Sequence, residues 1–564
     1  MMKRYTTYLS ILAVMLLMAP MVQARTVYID VNSIKGDLTE GLRNRCKQVA
    51  AKDTAVLAFG AGTYTINGTI QCWCNAVIKG QGRDKTTVIL DKGTDRNGFK
   101  AFMDDTFFKV IGTPQKPVSF SMYDITLKLK DHKGIWWSGA RCHAVKVYHA
   151  DPVNIHHVDS YMQNAIITNI DLQVCSNVTV TDCIISNYNN CTDGGNLWLR
   201  GDMHNVVIKR NTFYKYGKDE ALAFFSRLVK ADGHVLGNVT RSNIFVEDNE
   251  FFYGGYNGKD KDPKSINHMV FSFFTDQKKS NQSCKTTNFH LKNNTFHIND
   301  VCTRCMYISF DPADSHEGFY IENNTIENGY VKSNEPYYRQ DIEVNDLSNS
   351  RDTIRIVNNK VKNKNVVLTK SGSHAYSFLL VQGGNVDMRG NQIVNEATVN
   401  PVNGKSTGVQ LVWCGAEGGT VTMRDNVCKG IQYISTVGAG DGTKKFTLNA
   451  SNNYFEGDTR IYCHKIDDLD LNFTGNTLVS NDMNFFLQEF APKGTLVFNY
   501  NKVTVKPGGG QLMTHWSKTS TNSMKFNRLE VIGNVFKGVK NEQTMLKNFT
   551  NTRKRKVSSN KFSY

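Results

Sequence analysis

Past its first two dozen residues, this chain of 564 residues has no apolar run approaching the ~20 residues that a membrane-crossing helix needs. Insertion into a bilayer by helices is therefore not expected. No 3.6-residue apolar stripe runs through the repeated segments described below, which sets helical repeats aside. No Cys closely follows the early apolar stretch Leu9–Met18, so a lipoprotein anchor is not indicated. The 13 cysteines offer no matched pair of metal half-sites. Cys302-Thr-Arg-Cys305 and the tighter Cys72-Trp-Cys74 each stand alone, so no bound metal is expected.

What is present at the start is a positive Met1-Met-Lys-Arg, a short apolar core and Val22-Gln-Ala24. That order is the form of a secretory signal peptide. Residues 1–24 are expected to be removed, leaving residues 25–564 secreted or periplasmic. The formal charge of +16 includes Lys3 and Arg4, which leave with that leader. A basic exported protein attracts anionic partners through its long-range field. An acidic polysaccharide fits that compartment, and no nucleic-acid partner is expected.

Twelve times between Val206 and the C-terminus the chain spells apolar, any, apolar, any, any, Asn, any, apolar, the last copy imperfectly, with Arg555 at an apolar slot. Val206-Val-Ile-Lys-Arg-Asn211-Thr-Phe213 and Phe319-Tyr-Ile-Glu-Asn-Asn324-Thr-Ile326 are examples. The spacing runs from 23 residues (Asn453 to Asn476) to 45 (Asn249 to Asn294). Alternation before each Asn is the period of a strand with one buried face. The Asn itself is expected at a sharp bend, because Asn tolerates left-handed backbone angles. Stacked coil on coil, such asparagines would also form an internal amide ladder. Cys183 takes the same slot in Val178-Thr-Val-Thr-Asp-Cys183-Ile-Ile185 and is expected to stack there. A repeat that cannot bury its apolar face alone defines a solenoid. The fold expected is all-β, a right-handed parallel β-helix forming one elongated domain and acting as a monomer. Its open end needs a cap. Leu38, Leu42, Cys46 and Val49 share one helical face and mark the candidate, with residues 25–90 forming the cap and first coils.

The amphipathic helix, then Gly62-Thr-Tyr-Thr-Ile66, then Ile78-Lys-Gly-Gln-Gly-Arg-Asp-Lys-Thr-Thr-Val-Ile89, together resemble the opening of the pectin-lyase-like superfamily. That superfamily includes polygalacturonases and pectate lyases. The resemblance covers essentially the whole mature chain. The Asp-Phe-Gly-Ala opening of polygalacturonase-like members is absent, and only Lys35-Gly36-Asp37 stands in its place. The resemblance implies three strands per coil, with the first strand of each coil facing a substrate groove.

Polar residues concentrate before those first strands in the coils from 190 to 345. Tyr216-Gly-Lys-Asp-Glu-Ala-Leu-Ala-Phe-Phe225 is similar to the polygalacturonase segment in which two acidic residues precede the groove strand. Glycoside hydrolysis needs a protonated acid at the leaving oxygen and a carboxylate that activates water or attacks carbon. Asp219, Glu220 and Asp193 are the candidates, with Lys218 beside them. Arg200, His268, Arg304, Arg339 and Asp341 are candidates for holding substrate. A polysaccharide lyase would instead need a base and a cation that neutralises a uronate carboxylate. Lys218, Arg200, Arg304 and Arg339 suit those roles, and Asp193, Asp219 or Glu220 would offer oxygen ligands to Ca2+. Otherwise no cofactor is expected. Three functions follow: an acidic-polysaccharide hydrolase, a lyase, or a glycan-binding β-helix without catalysis.

Overall fold

The computed structural model describes residues 24–91, 106–130, 142–163, 167–188, 194–216, 220–226, 238–254, 269–275, 283–299, 304–333, 339–368, 376–396, 409–437, 444–463, 468–480, 486–488, 493–505, 513–515, 526–546 and 552–564. Asp193, Lys218, Asp219 and His268 lie outside these residues, as does the expected leader up to residue 23.

The alternating segments do form strands, and each pairs in parallel with the strand one coil further on. Three sheets run the length of the right-handed helix. Sheet 1 runs from Ile70–Cys72 through Thr106–Ile111 and Leu222–Phe225 to Met513–His515. Sheet 2 runs from Thr26–Asp30 to Lys554–Ser558, and sheet 3 from Gly62–Ile66 to Lys561–Ser563. Period-two alternation puts one side of every strand inside. Phe446–Ser451, for example, alternates buried and half-buried along its length. Inward residues stack on their equivalents in the next coil, as Phe213, Phe251 and Phe296 do at 4.9 and 4.7 Å between ring centroids.

The expected ladder lies at the bend between sheets 2 and 3. From Asn211 to Asn534, each ladder Asn donates its backbone N–H and its Nδ2 to the Oδ1 of the next Asn, over 2.8–3.1 Å. Cys183 opens the series, its N–H donating to Asn211 Oδ1 at 3.0 Å. The expected left-handed angle, however, falls one residue earlier. Arg210, Asp248, Asn293, Asn323, Asn358, Tyr500 and Ser559 carry positive φ, each just before a ladder Asn. That residue turns the chain, and the turn directs the following Asn side chain inward. A second, exposed ladder, at a break in register within the sheet 2 strands, does use left-handed Asn. There Asn177, Asn205, Asn243 and Asn288 combine positive φ with amide bonds of 2.9–3.0 Å.

The open end beside the first coil is closed by helix α1, Leu38–Lys47. The Asp37 side chain caps it by accepting from the Glu40 N–H at 2.8 Å. Leu42 and Cys46 are buried, while Leu38 and Val49 pack half-buried against the core.

Candidate active site

Sheet 1 carries its outward side chains in columns, because each residue stands beside its register partner. One column reads Gln71, Lys109, Lys146, Asp171, Trp198, Ala223, Ser272, Tyr307 and Glu343. A second, two residues on, reads Tyr148, Gln173, Arg200, Phe225 and Phe274. A third, at the bend preceding the strands, includes Thr106 and His143, then Arg304, Gln340, Ser377 and Gln410.

The charged centre of this face is Asp171, which is fully buried. Arg200 Nε donates to its Oδ1 at 3.0 Å, and Gln173 Nε2 donates to Oδ2 at 2.9 Å. His143 Nε2 lies 3.2 Å from Oδ2 and Lys146 Nζ 3.9 Å from it. Burial alone would raise the Asp171 pKa. The Arg200 charge, the His143 hydrogen bond and the Lys146 charge outweigh that and hold it well below the usual carboxylate range. For His143 burial dominates, and its pKa falls to about 4 despite the bond to Asp171. At neutral pH the pair is thus an ionised carboxylate and a neutral imidazole. The carboxylate only accepts, so the imidazole proton sits on Nε2 and Nδ1 presents a lone pair. Arg200 also lies over the Trp198 ring (4.5 Å) and the Phe225 ring (5.1 Å).

This face also gathers buried polar atoms without hydrogen-bond partners. They are Thr106 Oγ1, His143 Nδ1, Gln173 Oε1, Trp198 Nε1, Ser272 Oγ, Ser377 Oγ, and Gln410 Oε1 and Nε2. Buried polar atoms are nearly always satisfied by protein or ordered water, so a run of exceptions on one face points to bound water or to a polar ligand that takes its place. Gly195 makes room within it, since a Cβ there would lie 2.1 Å from Trp198 Nε1.

Glu220 follows Gly195 one coil on in the bend column and is 5 % exposed. Its carbonyl accepts from Asn196 N–H at 3.2 Å. Lys218 and Asp219 precede it in the sequence and, like Asp193, lie outside the described residues. Arg200, expected on substrate, is held by Asp171 instead. Arg304 pairs with Glu343 and lies 5.2 Å from the Tyr307 ring centroid. Arg339 pairs through its backbone with Tyr376, and its side chain lies outside the described set. Asp341 corrects the expectation. It is 0 % exposed and bonded inside the coil to Asn328 and Tyr376. The bend before Ile342 turns both residues inward, so strict alternation fails there.

Among the described residues no group of three or more His, Cys, Asp or Glu could hold a metal ion. His143, Lys146, Asp171, Gln173 and Trp198 were not singled out from sequence. The available signal was charged and amide side chains at the polar slots of otherwise apolar strands, as in Asn169-Ile-Asp-Leu-Gln173.

No family model matches the chain, and no curated protein matches it. Among solved structures, the DFA-IIIase of Arthrobacter chlorophenolicus A6 in complex with GF2 is similar at 12% identity, over 79% of this chain and 94% of that one, with a TM-score of 0.37. The family 28 exopolygalacturonase of Yersinia enterocolitica is similar at 10% identity, over 76% of this chain and 79% of that one, with a TM-score of 0.37. The tailspike gp61 of Pseudomonas phage phi297 is similar at 10% identity, over 77% and 75%, with a TM-score of 0.33. Likenesses this distant say nothing of activity. The coil architecture, with its three parallel sheets, internal Asn ladder and capping helix, is that of a right-handed parallel β-helix.

Proposed function

We propose that this protein is an exported enzyme that hydrolyses an acidic polysaccharide lying along sheet 1. The observation that carries the reading is the group of unpartnered buried polar atoms on Thr106, His143, Gln173 and Trp198 about an ionised Asp171, with Glu220 two coils further on in the bend column. Sugar hydroxyls would satisfy those atoms. Glu220, with Asp219 beside it in the chain and Asp193 one repeat earlier as the other candidates, supplies the acid that protonates the leaving glycosidic oxygen. Asp171 supplies a fixed negative charge where positive charge develops at the anomeric carbon, and a second carboxylate of the group activates water.

A second reading is favoured by one specific observation. His143 is neutral, oriented by Asp171, and has a free Nδ1 lone pair. Such a base could take the proton beside a uronate carboxylate while Lys146 and Arg200 neutralise that carboxylate, which is lyase chemistry. Ca2+ belongs only to this reading, with Asp193, Asp219 and Glu220 as its oxygen donors.

Product analysis on a panel of acidic and neutral glycans separates the readings. Hydrolysis releases reducing ends without ultraviolet absorbance, whereas elimination yields absorbing unsaturated uronates. Glu220→Gln and Asp171→Asn, each checked for wild-type circular dichroism, are expected to lower turnover about 100-fold or more. Wild-type turnover in Glu220→Gln would remove Glu220 from the chemistry. Failure of the wild-type protein on every glycan would leave the glycan-binding reading.

A further inference from the structure

A cavity of about 450 Å³ opens at the N-terminal end of the same face, lined by Glu40, Arg43, Lys47, Thr69, Gln71 and Trp73. Trp73 is 57 % exposed, unusual for so large an apolar surface. Its neighbours Cys72 and Cys74 are buried in the coil, and alternation therefore fixes the indole outward. Arg43 is equally fixed, with Nε donating to Thr69 O at 2.7 Å and Nη1 3.4 Å from Glu40 Oε2. Gln71 heads the column that continues through Lys109 and Lys146 to Asp171. At ~4.8 Å per coil the cavity lies about 14 Å from Asp171 along the helix axis.

The geometry points to a distal glycan subsite, in which Trp73 stacks on a sugar ring while Arg43 and Lys47 take the carboxylate of that ring. The lining carries two cations, Arg43 and Lys47, against the one carboxylate of Glu40, and an aromatic face beside that net positive charge suits a uronate, with Lys109 next in the column toward Asp171. The substrate is then a uronate polymer lying parallel to the helix axis, long enough to span three coils. This assignment deepens the polysaccharide reading above and rests on it for the direction of the chain.

Calorimetric titration of the full chain with oligogalacturonides of graded length tests it without requiring turnover. Affinity is expected to step up once the oligomer reaches from Asp171 to Trp73. Trp73→Ala and Lys47→Met should each lose about tenfold for the long oligomer. Tyr500→Asn, which removes another exposed aromatic, should keep wild-type affinity. Wild-type affinity in Trp73→Ala would overturn the subsite, and equal binding of a neutral cello-oligosaccharide would overturn its anionic class. Loss of the length step on Trp73→Ala in a Glu220→Gln background upholds the subsite whether or not the hydrolytic reading survives. Turnover that fails on every glycan overturns that reading alone.

Discussion

The charges around Asp171 tie the protein's stability to pH in one direction. His143 titrates near 4 when folded, against an ordinary value of 6.5, because burial disfavours its charged form. Between those values the unfolded chain binds a proton that the folded one does not, so stability falls as pH drops from 6.5 toward 4. Asp171, whose folded pKa is depressed, adds stability above its unfolded value and loses it at still lower pH. The His143 contribution amounts to at most about 3 kcal/mol. Urea melts at pH 7 and pH 5 should show the wild type losing stability, with a shallower loss in His143→Gln. A wild-type stability that is flat across this window would mean that His143 does not stay neutral. None of this was legible residue by residue. His143 and Lys146 look like ordinary strand residues until register sets them beside Asp171, whereas Glu220 stood out because two acidic residues precede an apolar strand.

At the scale of the element, the two asparagine ladders divide the work of the bends. The internal ladder ties buried backbone groups and amides of successive coils together, as when Asn324 Nδ2 donates to Leu291 O at 2.8 Å and to Asn359 Oδ1 at 3.0 Å. Its loss leaves donors and acceptors of two coils unpaired. Asn324→Ala is therefore expected to cost about 2–4 kcal/mol in chemical denaturation. In the exposed ladder water replaces the amide, and a left-handed angle suits glycine, so Asn243→Gly should cost under about 1 kcal/mol. Equal losses in the two variants would mean that the internal amides are not what holds the coils. The same physics explains what the sequence made visible. From Asn211 onward the ladder position takes a side chain that both donates and accepts inside the coil, with Cys183 only at the opening of the series, so Asn recurs and the solenoid can be read from it. The preceding left-handed position is mostly Asn, Asp or Gly, as at Asp248, Asn293, Asn323, Gly390, Asn452 and Gly475, but it also accepts Arg210, Tyr500 and Ser559, so the turn leaves a weaker pattern than the ladder does.

Across the whole molecule, stacking turns positions as distant as Gln71 and Glu343 into one outward column. Its N-terminal end is basic on balance, with Lys109 and Lys146 preceding Asp171 and with Arg43 and Lys47 against Glu40 at the end. The chain as a whole carries 67 Lys and Arg against 51 Asp and Glu. A field of that sign raises the local concentration of a polyanion and speeds encounter, and added salt screens it. Fixed hydrogen bonds around Asp171, all buried, are screened far less. If the substrate is an acidic polysaccharide, its KM should therefore rise several-fold as ionic strength goes from about 0.01 M, where the Debye length is about 30 Å, to about 1 M, where it is about 3 Å. The kcat should stay nearly constant over the same range. Initial rates with a neutral glycan, run in parallel, isolate the electrostatic part. A KM indifferent to salt would show that encounter is governed by the short-range contacts of the cleft, and the excess of basic residues would then be a property of the solvent-facing turns alone.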